Sequence, residues 1–481
     1  MKILFVSSEG LPFSKTGGLA DVIEALPKAL AAMGHEVAVV LPRYRGTKST
    51  GVAAPSLTVS AGDGYRFPAI AQGGALHGVQ YFFVDYAEYF DREQLYGAGG
   101  RDYPDNADRF ALFARAAIEL AKNVWVPELI HCHDWQTALV PALLQTQYAA
   151  DPFFRCVPVV FTVHNLGYQG LFGREILARL GLPASLFHVD GLEFYGRVNF
   201  LKGGLAFSDY LTTVSRRYAQ EIQTAEYGHG LEGVIRNRAS RLVGILNGVD
   251  YSVWSPEKDT HIVKKYSAQD LSGKAFCKKD LLEQFKLPAD NLPRPLVGII
   301  SRFVDQKGFD LIAQVAEEFL RDDVCLVALG TGDPKYEEMF RALAARVPSR
   351  VGVRVGFDNA MAHKIEAGSD LFLMPSRYEP CGLNQIYSLR YGSIPVVRAT
   401  GGLDDTIDPF DPRKGSGTGF KFAEYSGAAL LRALRAAIQV YRAKPSWNKL
   451  VANAMGKDFS WDASAAEYAR LYAAARAARA V

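Results

Sequence analysis

The sequence predicts an α/β protein built from two doubly wound parallel sheets, each in its own domain. Short runs of β-branched residues alternate with helical patterns through most of the 481 residues. Unbroken apolar runs such as LVGII and VCLVAL are typical of strands that helices cover on both faces. A chain of this length is too long for one hydrophobic core, so we expect two domains.

The predicted strands form one group in each half of the chain. In the first half they are residues 3–6, 36–41, 79–84, 129–131, 157–163, 210–214 and 242–246. In the second half they are residues 296–300, 324–329, 351–355, 371–374 and 394–397. The stretch NGVDYSVWSPEKD interrupts this pattern, so we expect domains at 1–250 and 251–457. An alanine-rich helix is predicted in 458–481; it could pack back on either domain, and the first is the candidate.

The composition argues against several classes of protein. Hydrophobic residues make up 49%, charged residues 22%, and the net charge is +3, which is ordinary for a globular protein. Because we see no dense run of Lys and Arg, we expect no nucleic-acid partner. No apolar stretch reaches about 18 residues and none resembles a signal peptide, so we expect no membrane partner. The 5 cysteines form no C-x-x-C pair, which favours a reduced, cytoplasmic protein.

Polar residues or glycines follow nearly every predicted strand, for example His133 with Asp134, and His164 with Asn165. In open parallel sheets, ligands bind beyond the carboxyl ends of the strands. Loops are polar in general, but this does not account for the recurring His, Asn, Arg and Lys. We therefore expect the two domains to place these strand ends around one cleft.

The stretch FSKTGGLADVIEAL joins the first strand to the first helix and contains Lys15, Gly17 and Gly18. The start of a helix has free N–H groups and the positive end of the dipole. Glycines let a ligand approach these groups, and Lys15 adds a full positive charge, so the arrangement suits a phosphate. A Gly-Gly pair also forms ordinary turns, so this interpretation needs support from a second site.

The stretch GIISRFVDQKGFDLI repeats this order of strand, cation, glycine and helix. Arg302 and Lys307 lie in the loop that follows a buried strand. A single Arg or Lys is usually a solvated surface charge, but two cations in a loop at the carboxyl end of a strand indicate an anion site. One cationic loop in each domain would suit a diphosphate.

The stretch SRYEPCGLNQIYSLRYG places Glu379 before a helix that is predicted to start near Gly382. An acidic residue at this position can simply complement the helix dipole. The functional interpretation is a carboxylate that holds sugar hydroxyls, while the amides after it meet phosphate oxygens. Cys381 could be a nucleophile, but small buried cysteines are commoner and no Cys–His pair is evident.

The stretches VVFTVHNLGYQG and HCHDWQT bring several imidazoles to the same predicted sheet edge. By itself His164 could be a loop residue whose hydrogen bonds are made within the protein. A functional role is favoured because the segment HCHDWQT would emerge at the same sheet edge. His131 and His133 share one face of a strand and could mimic a metal-binding pair. No further ligands follow at the usual spacing and no Asp-x-Asp occurs, so we expect no metal.

Taken in order, the motifs SKTGGLADV, HCHDWQ, TVHNLGYQG, ILNGVD, SRFVDQKG, GTGDP and EPCGLNQ closely resemble those of bacterial glycogen synthases and plant starch synthases. These enzymes are retaining glucosyltransferases of the GT-B type, with two Rossmann-like domains facing across a deep cleft. The likeness runs from Lys2 to about Trp461. It implies transfer of glucose from ADP-glucose, without a cofactor or metal, to the non-reducing end of glycogen or another α-1,4-glucan.

The resemblance also implies roles for individual residues. The implied catalytic residues are Arg302, Lys307, Glu379 and His164. The implied substrate-binding residues are Lys15, Gly17, Gly18, Asp21, Asp134, Asn165, Asn247, Gly332, Phe357, Cys381, Gly382 and Leu383. Arg302 and Lys307 would neutralise the departing ADP. His164 and Glu379 would hold the transferred glucose, and Phe357 would stack on the adenine.

The sequence departs from the family pattern at two positions. Asn384 stands where many similar sequences have Thr, and we expect little loss because backbone amides should be the main contacts there. Tyr387 stands where the wider GT-B family often has a second Glu, so the ribose contact is not predicted. The sequence does not determine the oligomeric state either.

Three competing functions are less consistent with the residues. An NAD-dependent oxidoreductase would need G-x-G-x-x-G after a strand, and KTGGLADV lacks that spacing. A glycogen phosphorylase would need a lysine in a pyridoxal-phosphate motif, and none is evident. A non-catalytic glucan-binding protein is disfavoured because the implied catalytic residues are all present.

No paired carboxylate supports a double displacement, which favours front-face attack assisted by the leaving phosphate.

Overall fold

The computed structural model describes residues 1–479 and divides that part of the chain into two units, each with its own central sheet. The first unit comprises Met1–Gly248 and the C-terminal helix Trp461–Arg479. The second unit is Val249–Ser460. Residues 480 and 481, at the end of the helix predicted in 458–481, lie outside the described residues.

The first unit is built on a sheet that has nine strands within residues 1–479. In spatial order they are Leu242–Gly244, Tyr210–Thr213, Val159–Val163, Leu129–His133, Lys2–Val6, Glu36–Pro42, Val79–Asp85, Ala69–Leu76 and Gly51–Ala54. All neighbours are parallel except the last two pairs, which are antiparallel. The strand order reverses between Lys2–Val6 and Leu129–His133, and such a switch point is where open α/β sheets bind ligands.

Every strand predicted in this half is present, but the antiparallel edge was not predicted. Its strand Ala69–Leu76 contains two adjacent glycines and shifts register between Gln72 and Gly74. A Cβ atom at Gly73 would lie 2.8 Å from the ring of Phe83, so only glycine fits at this contact. Glycine weakens the strand pattern in the sequence, which is why the edge escaped prediction.

Helices cover both faces of this sheet. They are Gly18–Ala32, Ala87–Phe90, Asn106–Asn123, Leu139–Leu144, Ile176–Arg179, Phe200–Phe207, Arg216–Glu221, Glu232–Asn237 and Trp461–Arg479, with 3₁₀ turns at Ala184–Leu186 and Ala239–Arg241. Short strand pairs and triplets lie outside the main sheet: Val59–Ala61 with Gly64–Arg66, Gly97–Ala98 with Arg101–Asp102, and Leu171–Phe172 with Arg197–Asn199 and Glu193–Phe194. The C-terminal helix buries Tyr468 and Tyr472 in the core beneath the sheet of this unit.

The second unit is built on a parallel sheet that has six strands among the described residues. In spatial order they are Val351–Val355, Cys325–Gly330, Leu296–Ile300, Leu371–Met374, Ile394–Arg398 and Phe420–Phe422. The strands predicted in this half are all present, and the short edge strand Phe420–Phe422 was not predicted. The strand order reverses between Leu296–Ile300 and Leu371–Met374, so the predicted α/β class with two doubly wound sheets is confirmed.

Helices again cover both faces of the sheet. They are Ser272–Gln284, Phe309–Arg321, Pro334–Arg346, Asn359–Gly368, Asn384–Tyr391, Gly401–Thr406, Gly427–Arg442 and Lys444–Met455, with 3₁₀ turns at Ala289–Asn291 and Asp305–Lys307. Phe309–Arg321 shows why they form: its buried residues Phe309, Ile312 and Phe319 recur at helical spacing along one face. No helix within residues 1–479 is long and apolar enough to cross a membrane.

Candidate active site

The switch point of the second unit carries a cavity of about 160 Å³. It lies beyond the carboxyl ends of Leu296–Ile300 and Leu371–Met374. Its polar lining consists of Ser301, Arg302, Lys307, Ser376, Glu379 and Asn384. The structure therefore brings the predicted carboxylate Glu379 to the two predicted cations, although Glu379 is 72 positions from Lys307 in the sequence.

Lys307 and Glu379 form a buried ion pair at this cavity. The Lys307 Nζ lies 2.6 Å from Glu379 Oε2, and the two side chains are 17% and 7% exposed. Ser376 Oγ donates a hydrogen bond of 3.0 Å to the same oxygen. Gly308 has φ 74°, and a Cβ there would lie 2.0 Å from the Pro375 carbonyl oxygen, so glycine allows the two loops to meet.

The helix Asn384–Tyr391 points its N-terminus into the same cavity. It starts two residues later than predicted, because Gly382 adopts a left-handed φ of 68° that a helix excludes. Leu383 at the N-cap gives no side-chain hydrogen bond, so no side chain at that position caps the first-turn N–H groups. The Asn384 side chain donates to the Ile300 carbonyl at 2.8 Å and ties the helix start to the neighbouring strand.

Two other residues of this segment are packed into the unit. Cys381 is buried, and its carbonyl oxygen accepts a hydrogen bond from the Gln385 side chain at 3.0 Å. Tyr387 is buried against Trp254 with the rings stacked 3.9 Å apart, and Trp254 stacks in turn on His363 at 3.8 Å. The Tyr387 ring therefore supports the helix that carries the site.

Gly332 and Phe357 differ in whether their contacts within the chain leave them available to a ligand. Gly332 is predicted to bind substrate, and its N–H donates to Glu337 Oε1 at 3.1 Å in the folded chain. This glycine is also required for packing, since a Cβ would lie 2.5 Å from the Phe303 carbonyl oxygen. Phe357 follows the strand Val351–Val355 and is 87% exposed, so its ring is available for stacking.

In the first unit, the loop before helix Gly18–Ala32 is organised by Glu9, a residue that the sequence analysis missed. Its carboxylate accepts hydrogen bonds from the Thr16 N–H at 2.7 Å and from the Gly17 N–H at 3.2 Å. The Gly17 amide is thus engaged within the loop, and its contact with phosphate stays a prediction. The Gly18 N–H makes no hydrogen bond within residues 1–479. Lys15 Nζ pairs with Asp21 Oδ1 at 2.6 Å at the surface of the loop.

Asp134 and His164 lie at the carboxyl ends of two adjacent strands of the first unit. Asp134 adopts a left-handed φ of 57°, which turns its carboxylate towards the next strand, and Oδ1 accepts the His164 N–H at 2.7 Å. Burial raises the pKa of Asp134 to about 7 and lowers the pKa of His164 to about 3, so this imidazole is neutral. Asn165 caps its own turn by accepting the Gly167 N–H at 3.0 Å, and Asn247 is buried with Oδ1 unpartnered among the described residues.

The raised pKa of Asp134 predicts a particular dependence of stability on pH. The native state holds this proton more tightly than the unfolded state, so the contribution favours folding at low pH and is lost as the pH rises from about 4 to about 7. Between pH of about 4 and about 7, the free energy of unfolding should fall by roughly 1–4 kcal/mol less in Asp134→Asn than in the unaltered protein. Urea unfolding at several pH values measures this free energy. The exposed Asp91→Asn serves as the control, and an unchanged slope in Asp134→Asn would contradict the prediction.

A second cavity of the first unit has an aromatic lining that the sequence analysis also missed. Its volume is about 440 Å³. The aromatic residues that line it are Tyr103, Trp135, Tyr168, Phe172 and Phe194. The signal in the sequence was the recurrence of aromatic residues and glycines in HDW and LGYQGLFG, directly after two strands. Within residues 1–479, no group of three His, Cys, Asp or Glu side chains is arranged to hold a metal ion.

The chain has two doubly wound units, and one of them holds cations and a helix N-terminus at its switch point. This architecture is that of a glycosyltransferase that acts on nucleotide-activated sugars. Comparison with known proteins agrees with this class. Residues 2–237 match a family described as "Starch synthase catalytic domain", and residues 283–454 match "Glycosyl transferases group 1". The chain is 58% identical over 482 residues to a glycogen synthase from Koribacter versatilis, covering 100% of this chain and 99% of that protein.

Further relatives extend this likeness. A glycogen synthase from Syntrophotalea carbinolica is 46% identical, with 98% of both chains covered. The catalytic domain of starch synthase IV from Arabidopsis thaliana, solved with ADP and acarbose, matches with a TM-score of 0.89 at 35% identity over 99% of both chains. A sucrose-phosphate synthase from Thermosynechococcus elongatus shares the fold, with a TM-score of 0.61 at 18% identity and 99% coverage of both chains. The chain belongs to the glycogen and starch synthase family of glycosyltransferases.

Proposed function

We propose that this protein transfers glucose from ADP-glucose to the non-reducing end of an α-1,4-glucan, with retention of configuration and without a metal. The observation that carries the proposal is the cavity of the second unit, where Arg302, Lys307 and a helix N-terminus converge. Glycogen synthases among the relatives, and a starch synthase solved with ADP and acarbose, support the choice of donor and acceptor.

The chemistry follows from where charge develops. Breaking the bond between glucose C1 and the phosphate oxygen leaves an oxocarbenium-like sugar and a more negative diphosphate. Arg302 and Lys307 supply fixed positive charge, and the N-terminus of Asn384–Tyr391 supplies oriented N–H groups. Groups that are held in place before the reaction stabilise this charge without reorganising, which is their main contribution to the rate.

Glu379 fits the role of holding the sugar better than that of a nucleophile. Its Oε2 already accepts hydrogen bonds from Lys307 and Ser376, which lowers the nucleophilicity of the carboxylate. Its Oε1 makes no hydrogen bond within residues 1–479 and can accept one from a sugar hydroxyl. We therefore favour front-face attack, in which the leaving phosphate accepts the proton of the acceptor hydroxyl. A trapped glucosyl–Glu379 or glucosyl–Asp134 intermediate would contradict this mechanism.

The aromatic cavity of the first unit is proposed to bind the glucan acceptor. Sugar rings present apolar C–H faces and polar edges, so they suit a cavity that combines aromatic rings with polar groups. Trp135 and Tyr168 offer such faces, and Asn106 and Gln169 line the same cavity with amides. That Lys15 and the Gly17 and Gly18 amides contact the donor diphosphate stays a prediction.

A transfer assay with labelled donors tests the proposal. Purified protein is incubated with glycogen and either ADP-[14C]glucose or UDP-[14C]glucose, in the presence of EDTA. We expect label to enter glycogen from ADP-glucose, at a higher rate than from UDP-glucose, and EDTA to have no effect. A protein that binds glycogen but incorporates no label from either donor would be a glucan-binding protein, and the proposal would be wrong.

Phe357 is predicted to bind the adenine ring of the donor. Because the stacking of a base on an aromatic ring contributes about 1–3 kcal/mol, Phe357→Ala should raise the KM for ADP-glucose about 5- to 150-fold. The kcat should change little, since the adenine takes no part in the bond that breaks. Phe357→Tyr should restore the KM. Phe276, which is 51% exposed in the same unit, gives the matched control, and an equal effect of Phe276→Ala would contradict the assignment.

A further inference from the structure

His133 lies beside His164, and its two ring nitrogens have very different surroundings. Its Nδ1 is 3.0 Å from His164 Nε2, so a hydrogen bond joins the two imidazoles. Its Nε2 is fully enclosed and has no hydrogen-bond partner among the described residues. Burial lowers the pKa of both imidazoles well below the usual value, so each ring carries one proton.

The rings of Phe5 and His131, which pack against His133, do not satisfy its Nε2. Phe5 stacks on the ring at 5.6 Å and has no polar atom in its side chain. The His131 ring is 4.1 Å away, but both of its nitrogens are engaged: Nδ1 with the Tyr472 hydroxyl at 2.7 Å, and Nε2 with Thr162 Oγ1 at 2.6 Å. A proton on Nε2 of His133 would therefore be a buried donor without an acceptor. Buried N–H groups without an acceptor are rarer in proteins than buried acceptors without a donor.

From this arrangement we infer that His133 is a positioning residue that fixes the tautomer of His164. The proton of His133 resides on Nδ1 and is donated to Nε2 of His164. His164 must then carry its own proton on Nδ1. That atom makes no hydrogen bond within residues 1–479 and is not enclosed, so it is left to contact a ligand. His164 thus presents a hydrogen-bond donor, and the sugar hydroxyl that it meets must accept.

The catalytic part of this inference rests on the proposed function, but the tautomer can be measured without substrate. In protein with 15N-labelled histidine, two-dimensional 1H–15N spectra distinguish a protonated ring nitrogen from an unprotonated one, and the signals lost in His164→Gln assign the residue. We expect His164 to be protonated on Nδ1 and unprotonated on Nε2. Protonation on Nε2 in the unaltered protein would overturn the inference, whatever the transferase activity.

Variants of His133 separate positioning from a merely structural role. His133→Phe keeps a buried ring but removes the donor, and His133→Asn places an amide N–H near the former Nδ1. We expect His133→Phe to lose the protonation of His164 on Nδ1 alone and to lower kcat/KM about tenfold. We expect His133→Asn to keep that protonation and the kcat/KM of the unaltered protein. Equal losses in two folded variants would show that a donor at the position of Nδ1 does not set the tautomer of His164, and unchanged activity in His133→Phe would show that His133 only fills space; either result would overturn the inference. An Nδ1-protonated His164 in a protein without transferase activity would instead reject the proposed function alone.

Discussion

Lys307→Ala is expected to lower kcat for glucose transfer by roughly 10²–10³-fold, because a fixed donor to the developing charge contributes about 2.7–4 kcal/mol in comparable sites. The KM for ADP-glucose should change less, since the contact strengthens as the bond to the diphosphate breaks. Initial rates at saturating glycogen measure both constants. A variant with unchanged turnover would remove Lys307 from the mechanism.

The same substitution should also affect folding. The sequence by itself predicts little loss of stability, but the structure shows that Lys307 neutralises Glu379, whose side chain is only 7% exposed. Leaving this carboxylate without its cation should cost about 1–3 kcal/mol. Adding Glu379→Gln should recover part of that stability without recovering turnover, because the donor to the leaving group is still missing.

A matched control is available in the same unit. Lys278 Nζ lies 2.6 Å from Asp370 Oδ2, and the side chains are 8% and 12% exposed. Lys278→Ala breaks an equally buried pair that does not line the cavity, so it should lose stability while kcat stays within about twofold in the protein that remains folded. If Lys278→Ala lost as much turnover as Lys307→Ala, the effect at Lys307 would reflect stability rather than chemistry.

Arg302→Ala is expected to have the second largest effect, a loss of roughly 10²-fold or more in kcat. Arg302→Lys should recover only part of it, because a lysine keeps the charge but lacks the planar fork that meets two phosphate oxygens at once. Arg346, an exposed residue of the same unit that pairs with Glu317 at 2.9 Å, is the control. If Arg302→Lys recovered the full turnover, or if Arg346→Ala lost as much as Arg302→Ala, a specific two-point phosphate contact at Arg302 would be contradicted.

The sequence predicts the parallel strands well because each is a continuous apolar run that ends in a polar residue. The same pattern places Arg302 and Glu379 at strand ends, and parallel strands bring their carboxyl ends to one edge. The pairing of Lys307 with Glu379 could not be predicted, since the residues are 72 positions apart and their contact depends on the close approach at Gly308.

Other features depend on side-chain contacts that no local pattern encodes. The Gly17 amide looked available in the sequence, but the carboxylate of Glu9 accepts its hydrogen bond in the folded chain. Glu9 is one polar residue among several after the first strand, and only the turn of the loop brings the Thr16 N–H to it. The contact of Tyr472 with His131 joins residues 341 positions apart, which a short-range pattern cannot show.

We propose above all that the protein moves glucose from a nucleoside diphosphate to a glucan with retention. A 1H NMR time course of ADP-glucose with a maltooligosaccharide, in the presence of EDTA, tests it directly. We expect anomeric signals of new α-1,4 linkages to rise at the rate at which ADP forms. Formation of β-linked product, or release of free glucose in place of chain extension, would contradict it.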